Sequence, residues 1–279
     1  MTSTQTQPDG EFIPPAPDYV PAQPRRRAIR EHSVWDPRSA PGTYFLLAIN
    51  IAVYLWMIAH GVNPRDPSER ALIHYGANHT WLVLHGQWYR LLTATFVHVG
   101  LIHLATNMWC LWNLGILGEP LLGPMGTVAV YMLTGIAGNL LSMAFNVVFS
   151  HLFRDPGFLI QVGAGASGAV FGIAGILIVL LSNRRLPFPW SELQRLRSSV
   201  VKFALINLAI GLSTMVFPLG VRIDNSAHIG GFLCGIGLGF PLVPRMTAGR
   251  DRYLGRQKAT FAAASFLLAL FGYWIANLL

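Results

Sequence analysis

The sequence predicts an all-α membrane protein that crosses the bilayer seven times. Of its 279 residues 53% are apolar, and only 11% are Asp, Glu, Lys or Arg, against roughly 25% in an ordinary soluble domain. Eight stretches of at least 19 residues carry none of those four charged types. Each is long enough to cross about 30 Å of hydrocarbon as a helix. One is set aside, because residues 71–89 hold three histidines, an asparagine, a glutamine and two glycines, which a bilayer interior penalises.

Taken in order, residues 1–41 are polar and hold eight of the 18 prolines. They bury too little apolar surface to offset their ordering entropy, so a disordered tail is expected. The first apolar run begins near Thr43, behind an arginine cluster, and reads as an uncleaved anchor rather than a signal peptide. Span one is set at 42–60, and the segment 61–90 joins it to span two at 101–118, followed by span three at 126–149. Span four, 168–182, has 15 residues and reaches only about 22 Å. Asn183, Arg184 and Arg185 mark its inner end, so its recessed end is the outer one, entered by the run from Gln161 to Gly168. Non-helical backbone at that depth needs protein or a water-filled cavity around it, and a cavity opening outward is expected. Spans five, six and seven fall at 199–217, 226–243 and 259–279.

The net charge of +8 does not point to nucleic acid, because its distribution follows the membrane. With the amino terminus inside, 15 basic residues lie in inner segments, around Arg25, Arg195 and Arg252, and five lie outside at Arg65, Arg70, Arg90, Arg154 and Arg222. The positive-inside rule therefore places the amino terminus in the cytoplasm and the carboxyl terminus outside. Cys110 and Cys234 both fall within apolar spans and read as packed thiols.

Several polar residues stand out against this background. Ser167 opens the recessed helix; it could serve as a helix cap or as a nucleophile. The surrounding glycines fit G-x-G-x-x-G, but no strand precedes them and no acidic residue follows about 20 positions on, so a dinucleotide site is discarded. Span six runs in the same direction as span four and begins at His228. Gly168 and Gly172 on one, and Ala227, Gly231, Gly235 and Gly239 on the other, form small-residue stripes that let two backbones approach. Facing stripes would bring Ser167 and His228 to similar depth, as nucleophile and base. His103 and Asn107, four apart on span two, are either helix glue or donors to an oxyanion. Zinc is disfavoured because His74, His79, His85, His98 and His103 show no tight ligand spacing. Asp224 precedes the helix of His228 and is expected to cap it rather than complete a triad.

These residues resemble the rhomboid family of intramembrane serine proteases. The segment Gly165-Ala166-Ser167-Gly168-Ala169-Val170-Phe171-Gly172 looks like the family's nucleophile motif, Ala227-His228-Ile229-Gly230-Gly231 like its histidine motif, and the run from His103 to Met108 like its oxyanion segment. Tyr89-Arg90 and Glu119 resemble two further family positions. The resemblance implies a six-helix catalytic core over 42–243, preceded by a cytoplasmic tail over 1–41. A basic loop and an additional C-terminal transmembrane helix follow over 244–279. It implies a serine endopeptidase with a Ser167 and His228 dyad and Asn107 and His103 at the oxyanion, without cofactor or metal. Its substrates would be single-span membrane proteins met within the lipid bilayer, and nothing in the sequence sets an oligomeric state. The expected location is the bacterial inner membrane. The alternative is a catalytically inactive relative that binds membrane helices.

Overall fold

The computed structural model describes residues 36–184, 186, 188–216, 223–243 and 249–278. The tail expected over 1–41 therefore lies outside the described residues as far as 35, as does 244–248 of the basic loop. The helices are α1 (Pro41–Ala59), α2 (Glu69–His74), α3 (Thr80–Leu84), α4 (Arg90–Thr93), α5 (Leu101–Leu122), α6 (Pro124–Phe153), α7 (Ser167–Leu180), α8 (Trp190–Val216), α9 (Asn225–Leu242) and α10 (Arg250–Ala276). A two-residue antiparallel ladder pairs β1 (Asn78–His79) with β2 (Val162–Gly163). The seven long helices correspond one to one with the seven expected spans, and the fold is an all-α membrane bundle of six helices plus a seventh at the carboxyl end.

Boundaries differ where helix and apolar run are different things. Helix α8 begins nine residues before the expected span, and α10 also begins nine before, because their first turns are polar but still favour a helix. Helices α1, α6, α8 and α10 are long and apolar enough to mark themselves as spans by composition. The three that are not so marked, α5, α7 and α9, carry the candidate site residues.

Helix α7 has 14 residues and is buried almost throughout. Its length is about 21 Å, so one end stops inside the hydrocarbon. That end, together with α2, α3, α4 and the start of α9, is called the upper end below. Helices α6 and α9 enclose α7, and the expected stripes do face each other. A Cβ at Gly231 would overlap the Gly168 carbonyl, one at Gly235 the Gly172 carbonyl, and one at Gly175 the Phe232 carbonyl. In hydrocarbon this close packing, rather than expulsion of water, holds helices together.

The lower end is tied by backbone groups that helix termini leave unpaired. Glu119, buried near the foot of α5, accepts from the Gly42 N–H at 2.8 Å and from the Thr43 N–H and Oγ1, both at 2.7 Å. A carboxylate thus caps the positive end of α1. At the other side of the same turn, Gln257 Nε2 donates to the Leu122 carbonyl at 2.7 Å and Tyr253 Oη to that of Leu121 at 3.0 Å, which docks α10 on α5.

At the upper end a polar stripe on α6 does the tying. Asn139 Nδ2 donates to the Leu91 carbonyl at 2.9 Å, Ser142 Oγ to Asp224 at 2.5 Å, and Asn146 Nδ2 to Thr80 Oγ1 at 3.0 Å. Buried Arg90 donates to the carbonyls of Ile73 and Ala77 at 2.6 and 3.0 Å, closing the segment between α1 and α5 on itself.

Replacing Glu119 by alanine leaves three donors of α1 without an acceptor. Glu119→Ala is expected to destabilise the folded protein by roughly 3 kcal/mol or more. Thermal unfolding in detergent checks this, and a melting temperature equal to that of the wild type would remove Glu119 from the scaffold.

Candidate active site

The chain entering α7 is non-helical and lies below the membrane surface, so each of its polar groups needs a partner. Gly163 pairs with Asn78 in the ladder, and the Gly165 N–H donates to the Ala94 carbonyl at 2.9 Å. The Ala166 N–H points to His98 Nε2 at 3.4 Å. His98 is fully buried, and since Nε2 accepts, its hydrogen sits on Nδ1, which faces the Phe96 carbonyl at 3.2 Å. Gly165 has φ +135°, and a Cβ there would lie 2.6 Å from His103 Cε1. Only glycine allows both that backbone and the His103 ring laid upon it.

Ser167 is the first residue of α7 rather than its cap. The residue in the capping position is Ala166, with no side-chain bond. Ser167 is half-buried, and among the described residues its Oγ has no hydrogen-bond partner. The bland role for this serine, as a helix cap, is not the one seen.

Asp224 caps α9, as expected: its Oδ1 accepts from the Ala227 N–H at 2.9 Å, while the other oxygen takes Ser142. Both carboxylate oxygens are engaged there, and neither bonds to His228. The His228 ring is buried, stacks on Phe171 at 4.3 Å between centroids and 12° between planes, and keeps Nδ1 without a partner among the described residues. Phe171 lies one turn after Ser167. A Cβ on Gly168 would stand 3.2 Å from the Ala227 carbonyl. Ser167 and His228 are the sequence neighbours of that touching pair, so they lie in the first turns of adjacent helices at one level.

Helix α5 brings the other two residues. His103 Nδ1 accepts from the Val99 N–H at 3.3 Å, leaving Nε2 as the donor, on the side of Gly165. Asn107 is buried, and its Nδ2 donates to the His103 carbonyl at 2.9 Å. An amide nitrogen carries two hydrogens, so one bond leaves one donor uncommitted.

Among the described residues no three or more of His, Cys, Asp and Glu gather in a group suited to an ion. His85 and His60 bond carbonyls of their own helices, and His79 is held below the usual imidazole range by burial and by the Arg90 guanidinium. No local pattern marks His98 as the latch on the backbone before Ser167. It stood among several histidines with no spacing to single it out, and a bond to a backbone N–H 68 residues away leaves no local pattern.

A profile describing the Rhomboid domain matches residues 85–245. Rhomboid protease AarA of Providencia stuartii is 35% identical over 210 residues, 72% of this chain and 73% of that protein. Rhomboid protease GluP of Bacillus subtilis is 32% identical over 194 residues, 69% of this chain but only 33% of that protein. Rhomboid-like protease 2 of Toxoplasma gondii is 29% identical over 194 residues, covering 68% of this chain and 62% of that protein. With more than half of its residues inside the matched domain, and with a relative 35% identical over most of both chains, the chain belongs to the rhomboid family.

Proposed function

We propose that the protein is an intramembrane serine endopeptidase that cleaves transmembrane-helix substrates near the outer face of the membrane. The observation that carries this reading is a serine hydroxyl without a hydrogen-bond partner among the described residues, in the first turn of a short buried helix whose close neighbour α9 carries a buried imidazole, that of His228, in its own first turn. Relatives named as proteases agree with it.

Neutral His228 takes the Ser167 proton as Oγ attacks the scissile carbonyl, and later returns it to the leaving amine. With Asp224 occupied elsewhere, the pair works as a dyad. The negative charge that develops on the carbonyl oxygen is met by the Ser167 N–H at the positive end of α7, by the second amide hydrogen of Asn107 and by His103 Nε2–H. Phe171 keeps the imidazole from rotating away. Water then hydrolyses the acyl-enzyme. Substrate helices satisfy their carbonyls internally, so cleavage favours segments with small or helix-weakening residues.

The core occupies 42–243, with the tail before it and the seventh helix after it as attachments. The basic residues put the amino terminus in the cytoplasm, which places the upper end outside. A bacterial inner membrane suits this topology. A catalytically inactive helix binder would have no use for the uncommitted Ser167 hydroxyl.

The test is cleavage of a single-span reporter by the purified full chain. Wild type is expected to cleave it, and Ser167→Ala and His228→Ala to lose the activity; equal cleavage by wild type and Ser167→Ala overturns the proposal. Asn107→Ala is expected to slow turnover by roughly 10²-fold, the size of one lost oxyanion donor, and a full-rate variant would take Asn107 out of the site. His98→Ala strands the buried Ala166 N–H and is expected to cost about 1–3 kcal/mol of stability, read as a lowered unfolding midpoint, and to reduce turnover with it. A variant unchanged in both would show that His98 does not hold this backbone.

A further inference from the structure

Between α4 and α5 the chain is not helical, and Ala94, Thr95, Val97 and His98 are buried there. Three consecutive carbonyls in this stretch bear on the backbone that enters α7. That of Ala94 accepts from the Gly165 N–H at 2.9 Å, and that of Phe96 faces Nδ1 of His98, whose Nε2 meets the Ala166 N–H. The carbonyl between them, on Thr95, accepts from the Tyr131 hydroxyl of α6 at 3.0 Å. Tyr131 is fully buried, and no step of the proposed chemistry uses it.

A phenol has a single hydrogen. Buried Asn50 on α1 donates Nδ2 to the Tyr131 oxygen at 3.0 Å and to the Leu46 carbonyl at 2.7 Å. The phenol hydrogen then goes to Thr95, the Asn50 Oδ1 at 3.2 Å being the longer alternative. Phenylalanine and leucine would fill the same space with no polar group to satisfy, so packing alone does not call for this pair. The same turn of α6 also reaches α7: a Cβ on Gly135 would overlap the Thr95 methyl and stand 3.5 Å from the Ala169 Cβ. One turn of α6 thus touches both the stretch that leads into α5 and the first turn of the serine helix. We infer that Tyr131 is a positioning residue for the cleavage centre. Its hydroxyl, supported by Asn50, fixes the Thr95 carbonyl and with it the register of the Ser167 N–H against the α5 donors His103 and Asn107. This rests on the reading of those three groups as an oxyanion site. Such donors act by being in place before charge develops, so a small displacement costs turnover rather than substrate affinity.

The test compares Tyr131→Phe with Tyr253→Phe, which deletes a phenol-to-carbonyl bond of the same 3.0 Å length at the lower end. Amide hydrogen exchange of the full chain in detergent is the first measurement. Tyr131→Phe is expected to speed exchange at Gly165 and Ala166 about tenfold, the effect of roughly one net hydrogen bond, and to leave α10 unchanged. Tyr253→Phe is expected to exchange at 163–168 as the wild type does. On the single-span reporter, Tyr131→Phe is expected to lower kcat about tenfold with KM unchanged, whereas a purely structural role would lower only the unfolding midpoint. Wild-type exchange at 163–168 in Tyr131→Phe, or exchange accelerated evenly in every helix, overturns the proposal. So does an unchanged kcat where the wild type cleaves through Ser167. If the wild type does not cleave at all, the proteolytic reading falls alone, and exchange at 163–168 still decides whether Tyr131 positions this backbone. Should Tyr131→Phe not fold, Asn50→Leu, which removes the support of the phenol, serves the same comparison with the same outcomes.

Discussion

Backbone amides and carbonyls cannot be left bare in hydrocarbon, and the structure is arranged around the one place where the chain breaks that rule. Helix α7 stops short of the membrane surface, and the residues leading into it are not helical. Their hydrogen bonds are found within the protein: Asn78 through the ladder, Ala94 for Gly165, His98 for Ala166. The segment between α1 and α5 exists in this form because it has to supply those partners. It is folded in turn by Arg90 and by the polar stripe of α6. The Ser167 hydroxyl, without a hydrogen-bond partner among the described residues, is therefore held on a backbone whose N–H groups at Gly165 and Ala166 are both engaged within the protein.

The second constraint is distance. Ser167 and His228 can share one level in the first turns of two neighbouring helices only if the helix backbones come close, and any side chain at Gly231 or Gly235 would prevent it. This packing leaves little freedom to the imidazole, which is further fixed by Phe171. Rigidity of this kind lowers the reorganisation needed when charge develops, which the proposed proteolysis would draw on.

Much of this was legible in the sequence because hydrophobic runs and small-residue spacing are local patterns. The short span, the small-residue stripes and the capping role of Asp224 each follow from residues within a single helix or at its start, whereas the meeting of the two stripes joins positions more than 60 apart. The rest is carried by pairs far apart in the chain. Glu119 capping α1, Gln257 on Leu122 and His98 on Ala166 each join positions 68 to 135 apart, and a polar residue awaiting a distant partner looks like any other polar residue. The starts of α8 and α10 were missed for a different reason: an apolar window reports where lipid begins, not where the helix begins. Asn78-His79-Thr80 has the form of a glycosylation acceptor, yet Asn78 is buried and bonded to Asn139.

The burial of α7 also governs how the molecule is made. This segment leaves the ribosome ahead of α9, whose glycines form its closest neighbours. A 14-residue helix is too short to settle across the membrane unaided, and its glycine-lined side offers lipid a poor contact. Until residues 225–242 arrive, it leans on α5, α6 and α8 without its closest neighbour, so biogenesis of the centre waits upon translation of the sixth membrane segment.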